Sequence, residues 1–132
     1  MRPLLMALAV TAALAGCVNN DPAPIEAAAP LAPSHVQALY SLFTPEVLRV
    51  AAGTTVTWTN HDEVKHSVTP TDAAGWGTRG SGDEDTKWLA IGETWSHAFA
   101  HTGTFEYYCI PHALRDDATG EWRGMVGRVV VL

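Results

Sequence analysis

A chain of 132 residues has room for one domain. Fourteen carboxylates against eight lysines and arginines leave a formal charge of −6, the wrong sign for a protein that grips nucleic acid through its phosphates. The overall hydrophobic fraction of 47% is inflated by the first sixteen residues, so the folded part is more polar than that figure suggests and its acidity is compatible with a basic partner.

After Arg2, an apolar run from Leu4 to Leu14 is too short to span a bilayer and has the charge-then-apolar layout of an export signal. It ends in Leu14-Ala15-Gly16-Cys17, which resembles the lipobox of bacterial lipoproteins. That resemblance implies a signal peptide over residues 1–16 and a lipidated Cys17 as the new first residue. Several acyl chains on one residue anchor stably where a single chain is marginal. Residues 17–34 are dense in Pro and Ala, which cannot build a core and favour an extended, semi-stiff tether of up to about 50 Å. The location expected is the cell envelope, with the domain lipid-anchored to a membrane on its periplasmic or extracellular face.

From Val36 the texture changes. Short runs of β-branched and aromatic residues alternate with Gly, Pro, Asn and Asp, the pattern of an all-β sandwich. Residues 35–132 are read as one Greek-key domain of about eight strands, over 36–42, 46–51, 54–60, 65–69, 86–90, 94–100, 103–109 and 125–132. Residues 113–120 have room for a short turn of helix. Strand parity puts Val56 and Trp58 on one face, Phe105, Tyr107 and Cys109 on another, and Met125, Gly127, Val129 and Val131 on a third, with Tyr108 facing out. His66 shares parity with Val68. Cys109 and Met125 thus each continue an inward apolar face at a strand end, which predicts a buried site at one end of the sandwich.

The two cysteines have different fates in this reading. With Cys17 lipidated, Cys109 is a lone thiol in an exported, oxidising compartment, and a lone exported thiol calls for a bridge to another chain, a reactive role or something bound to it. Its neighbours favour a bound metal: His112 three residues on, Met125 on the last strand and His66 upstream. One soft thiolate, two imidazoles and a weak thioether are the donor set of a blue-copper electron-transfer site.

These residues are similar to the cupredoxin family, of the plastocyanin, pseudoazurin and halocyanin type, over most of Val36 to Leu132. The resemblance rests on Phe43-Thr-Pro45, Val56-Thr-Trp58-Thr-Asn60, His66-Ser-Val-Thr, Gly103-Thr-Phe105, Tyr107-Tyr-Cys-Ile-Pro-His112 and Gly124-Met-Val-Gly127. It implies one copper per chain, held by His66, Cys109, His112 and an axial Met125, with the Ser67 backbone N–H bonded to the thiolate. It also implies an electron port at the edge of His112, which Pro111, Ala113 and Leu114 surround with a small apolar face; Tyr108, facing out beside Cys109, offers a second port. The chain departs from the family between His112 and Met125, where twelve residues from Ala113 to Gly124 replace a few. A longer loop costs little closure entropy, so Met125 can still return to the site, and Glu121 within it stands as a competing oxygen donor.

Four saturating donors leave no open coordination position and argue against an enzyme. A monomeric, membrane-anchored carrier of single electrons between redox proteins is the expectation, and an envelope protein that binds and delivers copper is the alternative. His61, His97 and His101 are read as surface residues, Asp83-Glu84-Asp85 as a solvated loop, and Trp76, Trp88, Trp95 and Trp122 have no assigned role.

Overall fold

The computed structural model of the chain describes residues 34–72, 76 and 85–132. The export signal, Cys17, nearly all of the tether and Asp83-Glu84 lie outside those residues. Among the described residues nine strands follow one another: β1 (His35–Leu39), β2 (Leu42–Thr44), β3 (Val47–Val50), β4 (Thr54–Asn60), β5 (His66–Pro70), β6 (Lys87–Leu89), β7 (Thr94–Phe99), β8 (Gly103–Arg115) and β9 (Trp122–Val131). They form two sheets, ordered β2-β1-β4-β7 and β3-β9-β8-β5-β6. Two of the pairings, β1 with β4 and β3 with β9, are parallel, as a sandwich whose chain crosses between sheets requires. The all-β sandwich expected from alternation is what forms.

Alternation works because each sheet has one face to bury. In β4, Val56, Trp58 and Asn60 are buried while the threonines between them are not. Trp58 sits at the centre of the core: Trp95 stacks on it at 5.2 Å and Tyr107 meets it edge-on at 5.5 Å. Trp76 lies 5.9 Å from the same ring, so two of the tryptophans without an assigned role are core aromatics. His97 is only partly a surface residue. It pairs with Val56 across β4 and β7, which puts it on the inward side, half-buried against Phe99 at 4.8 Å and Trp76 at 5.3 Å. Desolvation holds its pKa below the ordinary histidine value.

Two expectations are corrected by the backbone. The run 36–42 is not one strand but a hairpin, because Tyr40 and Ser41 both take left-handed φ angles of 55° and 54°. Leu39 pairs with Leu42 around them, a two-residue loop whose twist suits a tight hairpin, and the reversal puts Phe43 edge-on to Tyr107 at 4.8 Å. The helical turn expected within 113–120 is confined to a single turn over Asp116–Gly120, between strand that runs to Arg115 and strand that resumes at Trp122. The chain pairs Ala113 with Gly124, Leu114 with Arg123 and Arg115 with Trp122, so β8 and β9 run past their expected ends and the twelve inserted residues become a closed hairpin. Its tip is tied by Asp116 N–H to Glu121 O (2.8 Å), Gly120 N–H to Asp116 O (2.7 Å) and the Asp116 carboxylate accepting from Ala118 and Thr119. Trp122 stacks on Tyr108 at 3.7 Å, which gives a third unassigned tryptophan its place. The fourth, Trp88, lies under the Lys65 ammonium at 4.5 Å.

Candidate metal centre

The β8–β9 ladder is regular up to Tyr108, paired with Val126, and resumes at Ala113, paired with Gly124. Between those pairs β8 carries four residues, Cys109 to His112, and β9 only one, Met125. The surplus on β8 bulges, and a bulge re-aims side chains that a regular ladder would alternate. Here it turns His112 back toward Cys109, so that the imidazole Nδ1 lies 3.5 Å from Sγ. Gly124 is required at the resumption: its φ is 94°, and a Cβ there would stand 2.5 Å from the His112 carbonyl oxygen.

The third group comes from the opposite side. β5 is buried at all five positions, and its first residue, His66, sits with Nδ1 at 3.1 Å from His112 Nδ1 and 3.6 Å from Cys109 Sγ. His66 and Cys109 are fully buried and His112 half-buried. The donor atoms of these three residues all lie within 4.8 Å of one another, the one such His/Cys/carboxylate group among the described residues. A point equidistant from the three atoms lies about 2 Å from each, the bond length of a first-row ion to imidazole and slightly short of that to thiolate. The residues therefore fit a trigonal N,N,S metal site. Met125, fully buried, belongs to the same packed cluster as Cys109 and lies across the ladder from the bulge. Glu121 does not come near: its carboxylate is 69% exposed at the hairpin tip, 3.7 Å from the Arg123 guanidinium.

Sulfur and imidazole are each held by hydrogen bonds. Ser67 N–H donates to Cys109 Sγ at 3.3 Å, as the resemblance implied, and Ile110 N–H donates to Ser67 Oγ at 2.8 Å. Burial pushes the Cys109 thiol above its ordinary pKa, with the Ser67 amide opposing; a cation at the site reverses that balance by favouring thiolate. The partner of the other His66 nitrogen is Asp62, whose Oδ2 accepts from Nε2 at 3.0 Å. Asp62 had no signal of its own in the sequence. The nearest was the Asn60-His61-Asp62 run, whose side chains favour Asx turns: Asn60 Oδ1 accepts from Asp62 N–H (2.9 Å), and its Nδ2 donates to Val64 O (2.8 Å) and Leu89 O (3.1 Å).

Comparison with known proteins follows the same outline. Residues 35–132 match the copper-binding proteins of the plastocyanin/azurin family. The chain belongs to that family. It is 35% identical over 88 residues to amicyanin-alpha of Methylorubrum extorquens, covering 67% of this chain and 61% of the relative. It is 32% identical over 92 residues to a chloroplastic plastocyanin of Tetradesmus obliquus, covering 68% and 58%. The chain thus spans about three fifths of the length of these relatives. Among solved structures, a purple cupredoxin from Nitrosopumilus maritimus superposes with a TM-score of 0.54 at 25% identity, over 76% of this chain and all of the other. The fold is the cupredoxin sandwich, and the cofactor of the family is one copper.

Proposed function

We propose that this chain is a single-electron carrier whose copper is held by His66, Cys109 and His112, with Met125 as the weak axial donor. The convergence of two Nδ1 atoms and one Sγ on a single point, within 3.1–3.6 Å of each other, carries the reading. When bound, copper supplies the one-electron couple between its two oxidation states. The chain's part is to make the change of state cheap. A trigonal donor set with a distant thioether lies between the preferences of the two states. The donors stand on paired strands, and the Ser67 amide holds Sγ in place, so little has to move. Water is kept away by the burial of Cys109, His66 and Met125.

Electrons would enter and leave at the His112 edge, the half-exposed side of the trio. Leu114 (80% exposed) and Pro111 flank it, but Ala113 is buried and takes no part in a docking face, because its pairing with Gly124 turns it inward. Tyr108, stacked under Trp122, stands as a second port. The acidic surface suits a basic redox partner. Copper delivery is the weaker reading, since the twelve residues between His112 and Met125 close into a paired hairpin and not into a loop that would open the centre to exchange. Monomeric state, the absence of enzymatic activity, anchoring through Cys17 and an envelope location belong to the same proposal. They rest on the saturated donor set and the Leu-Ala-Gly-Cys ending.

The test is a visible spectrum after adding one equivalent of Cu(II). An intense thiolate-to-copper band is expected, lost in Cys109→Ser. A band that survives that substitution, or none in the unaltered protein, overturns the assignment.

A further inference from the structure

Resting on that reading, the geometry points to Asp62 as a positioning residue of the metal centre, selecting the His66 tautomer that leaves Nδ1 free to bind metal. A neutral imidazole carries its proton on one nitrogen and a lone pair on the other. Facing the Asp62 carboxylate at 3.0 Å, Nε2 must be the protonated one, because the other tautomer would set a lone pair against an anion. That choice strips Nδ1 of its proton at the very point where Cys109 Sγ and His112 Nδ1 converge. The carboxylate also pulls on the Nε2 proton and so makes Nδ1 a stronger donor, as outer-shell partners of metal-bound histidines do.

Asp62 is not an incidental surface partner. His66 is fully buried and the Asp62 side chain is only 17% exposed. Its position is over-determined: Oδ2 also accepts from Ser41 N–H at 2.9 Å, Oδ1 accepts from Glu63 N–H at 3.0 Å, and its own N–H is held by Asn60. The Ser41 amide faces Asp62 because the β1–β2 turn is left-handed at both Tyr40 and Ser41. Non-glycine residues are strained in that conformation, and this hydrogen bond helps to offset the strain. The β1–β2 turn, distant in sequence from every donor, is thereby part of the site.

The experiment is nitrogen NMR of the His66 ring in the copper-free and Cu(I) proteins, together with voltammetry, on the unaltered chain, Asp62→Asn and Asp62→Ala. Asn keeps an oxygen acceptor but loses the charge, so Asp62→Asn should keep the Nε2–H tautomer, weaken its hydrogen bond and raise the reduction potential. Asp62→Ala should give mixed tautomers in the copper-free protein and about a 10- to 100-fold loss of copper affinity. Should Asp62→Ala fail to fold, Asp62→Asn and the unaltered chain decide. A proton on Nδ1 in the copper-free unaltered protein, or an Asp62→Asn potential equal to the parent's, overturns the proposal. The copper-free tautomer is read without metal, so an Nε2–H tautomer in a protein that shows no copper band would support Asp62 while defeating the copper assignment.

Discussion

The two histidines of the centre present the same atom to the same point, yet they are built differently. His66 opens a strand buried along its whole length, is itself fully buried, and has its second nitrogen tied to Asp62. His112 sits in the bulge where the β8–β9 ladder loses its register, is half-buried, and stands beside the exposed Leu114. One side of the site is an anchor wired into the core; the other is a rim, shaped by a backbone irregularity and open to whatever docks. The division suits an electron carrier, which must hold its metal firmly and still bring one ligand edge to a partner.

Removing each ring separates anchor from rim most directly. His66→Gly and His112→Gly should both lose the thiolate-to-copper band. Added imidazole should restore most of it in His112→Gly, whose vacancy opens at the rim, and little in His66→Gly, whose vacancy is sealed behind β5 and the β1–β2 turn. Equal rescue of the two, followed by visible titration with imidazole, would mean that the difference in burial has no bearing on access.

Gly124 tests the rim from the backbone. Alanine there would need a left-handed φ and would drive its Cβ into the His112 carbonyl. Overpacking alone costs about 1–3 kcal/mol, with the unfavourable φ adding to it. Thermal denaturation should show the loss, and the copper band should shift because His112 moves. A comparable loss of stability with an unchanged spectrum would show that the bulge does not position that ligand.

The anchor and the rim were also unequally legible in the sequence. Cys109, His112 and Met125 announce themselves through a two-residue gap and through parity with Tyr107 and Val129, since strand alternation is a local property that carries to the site. The hairpin between them does not. Arg115 to Arg123 is polar and lacks an alternating pattern; it pairs because β8 and β9 already lie side by side and its Asp116–Gly120 turn closes them. Asp62 was hidden for another reason: its contact with His66 depends on the loop bend set by Asn60 and on the left-handed Tyr40-Ser41 turn, which carries none of the usual Gly or Asn signal for such a hairpin. Local chemistry singled out His66, Cys109 and His112, which the fold brings together; what orients them comes from tertiary structure.

The axial position gives a smaller effect. Met125 lies across from the bulge, and a thioether is a weak donor, so Met125→Leu should keep a coloured, folded protein and raise the reduction potential, since the oxidised state loses more than the reduced one. Glu121→Ala should change little, its carboxylate being engaged with Arg123 at the exposed hairpin tip. Voltammetry on both variants separates the donors: a shift with Glu121→Ala and none with Met125→Leu would reverse the assignment.

The smallest effect comes from His97, which separates burial from ligation. It is a half-buried histidine facing Trp76 and Phe99, outside the cluster of donors. Burial lowers its folded pKa below the unfolded value near 6.5, so on the acid side of that value the unfolded chain binds more protons than the folded one. Its neutral ring therefore contributes fully above about pH 6.5, and that contribution fades as pH falls toward the folded pKa. For a ring this exposed the effect should stay below about 1 kcal/mol after solvent screening. His97→Gln should flatten the acid limb of the stability profile by that amount, measured by denaturant titration from about pH 5 to 7, while leaving the copper band where it is. A spectral change would tie His97 to the centre, and an unchanged profile would mean that its packing in the aromatic core does not distinguish the protonated from the neutral ring.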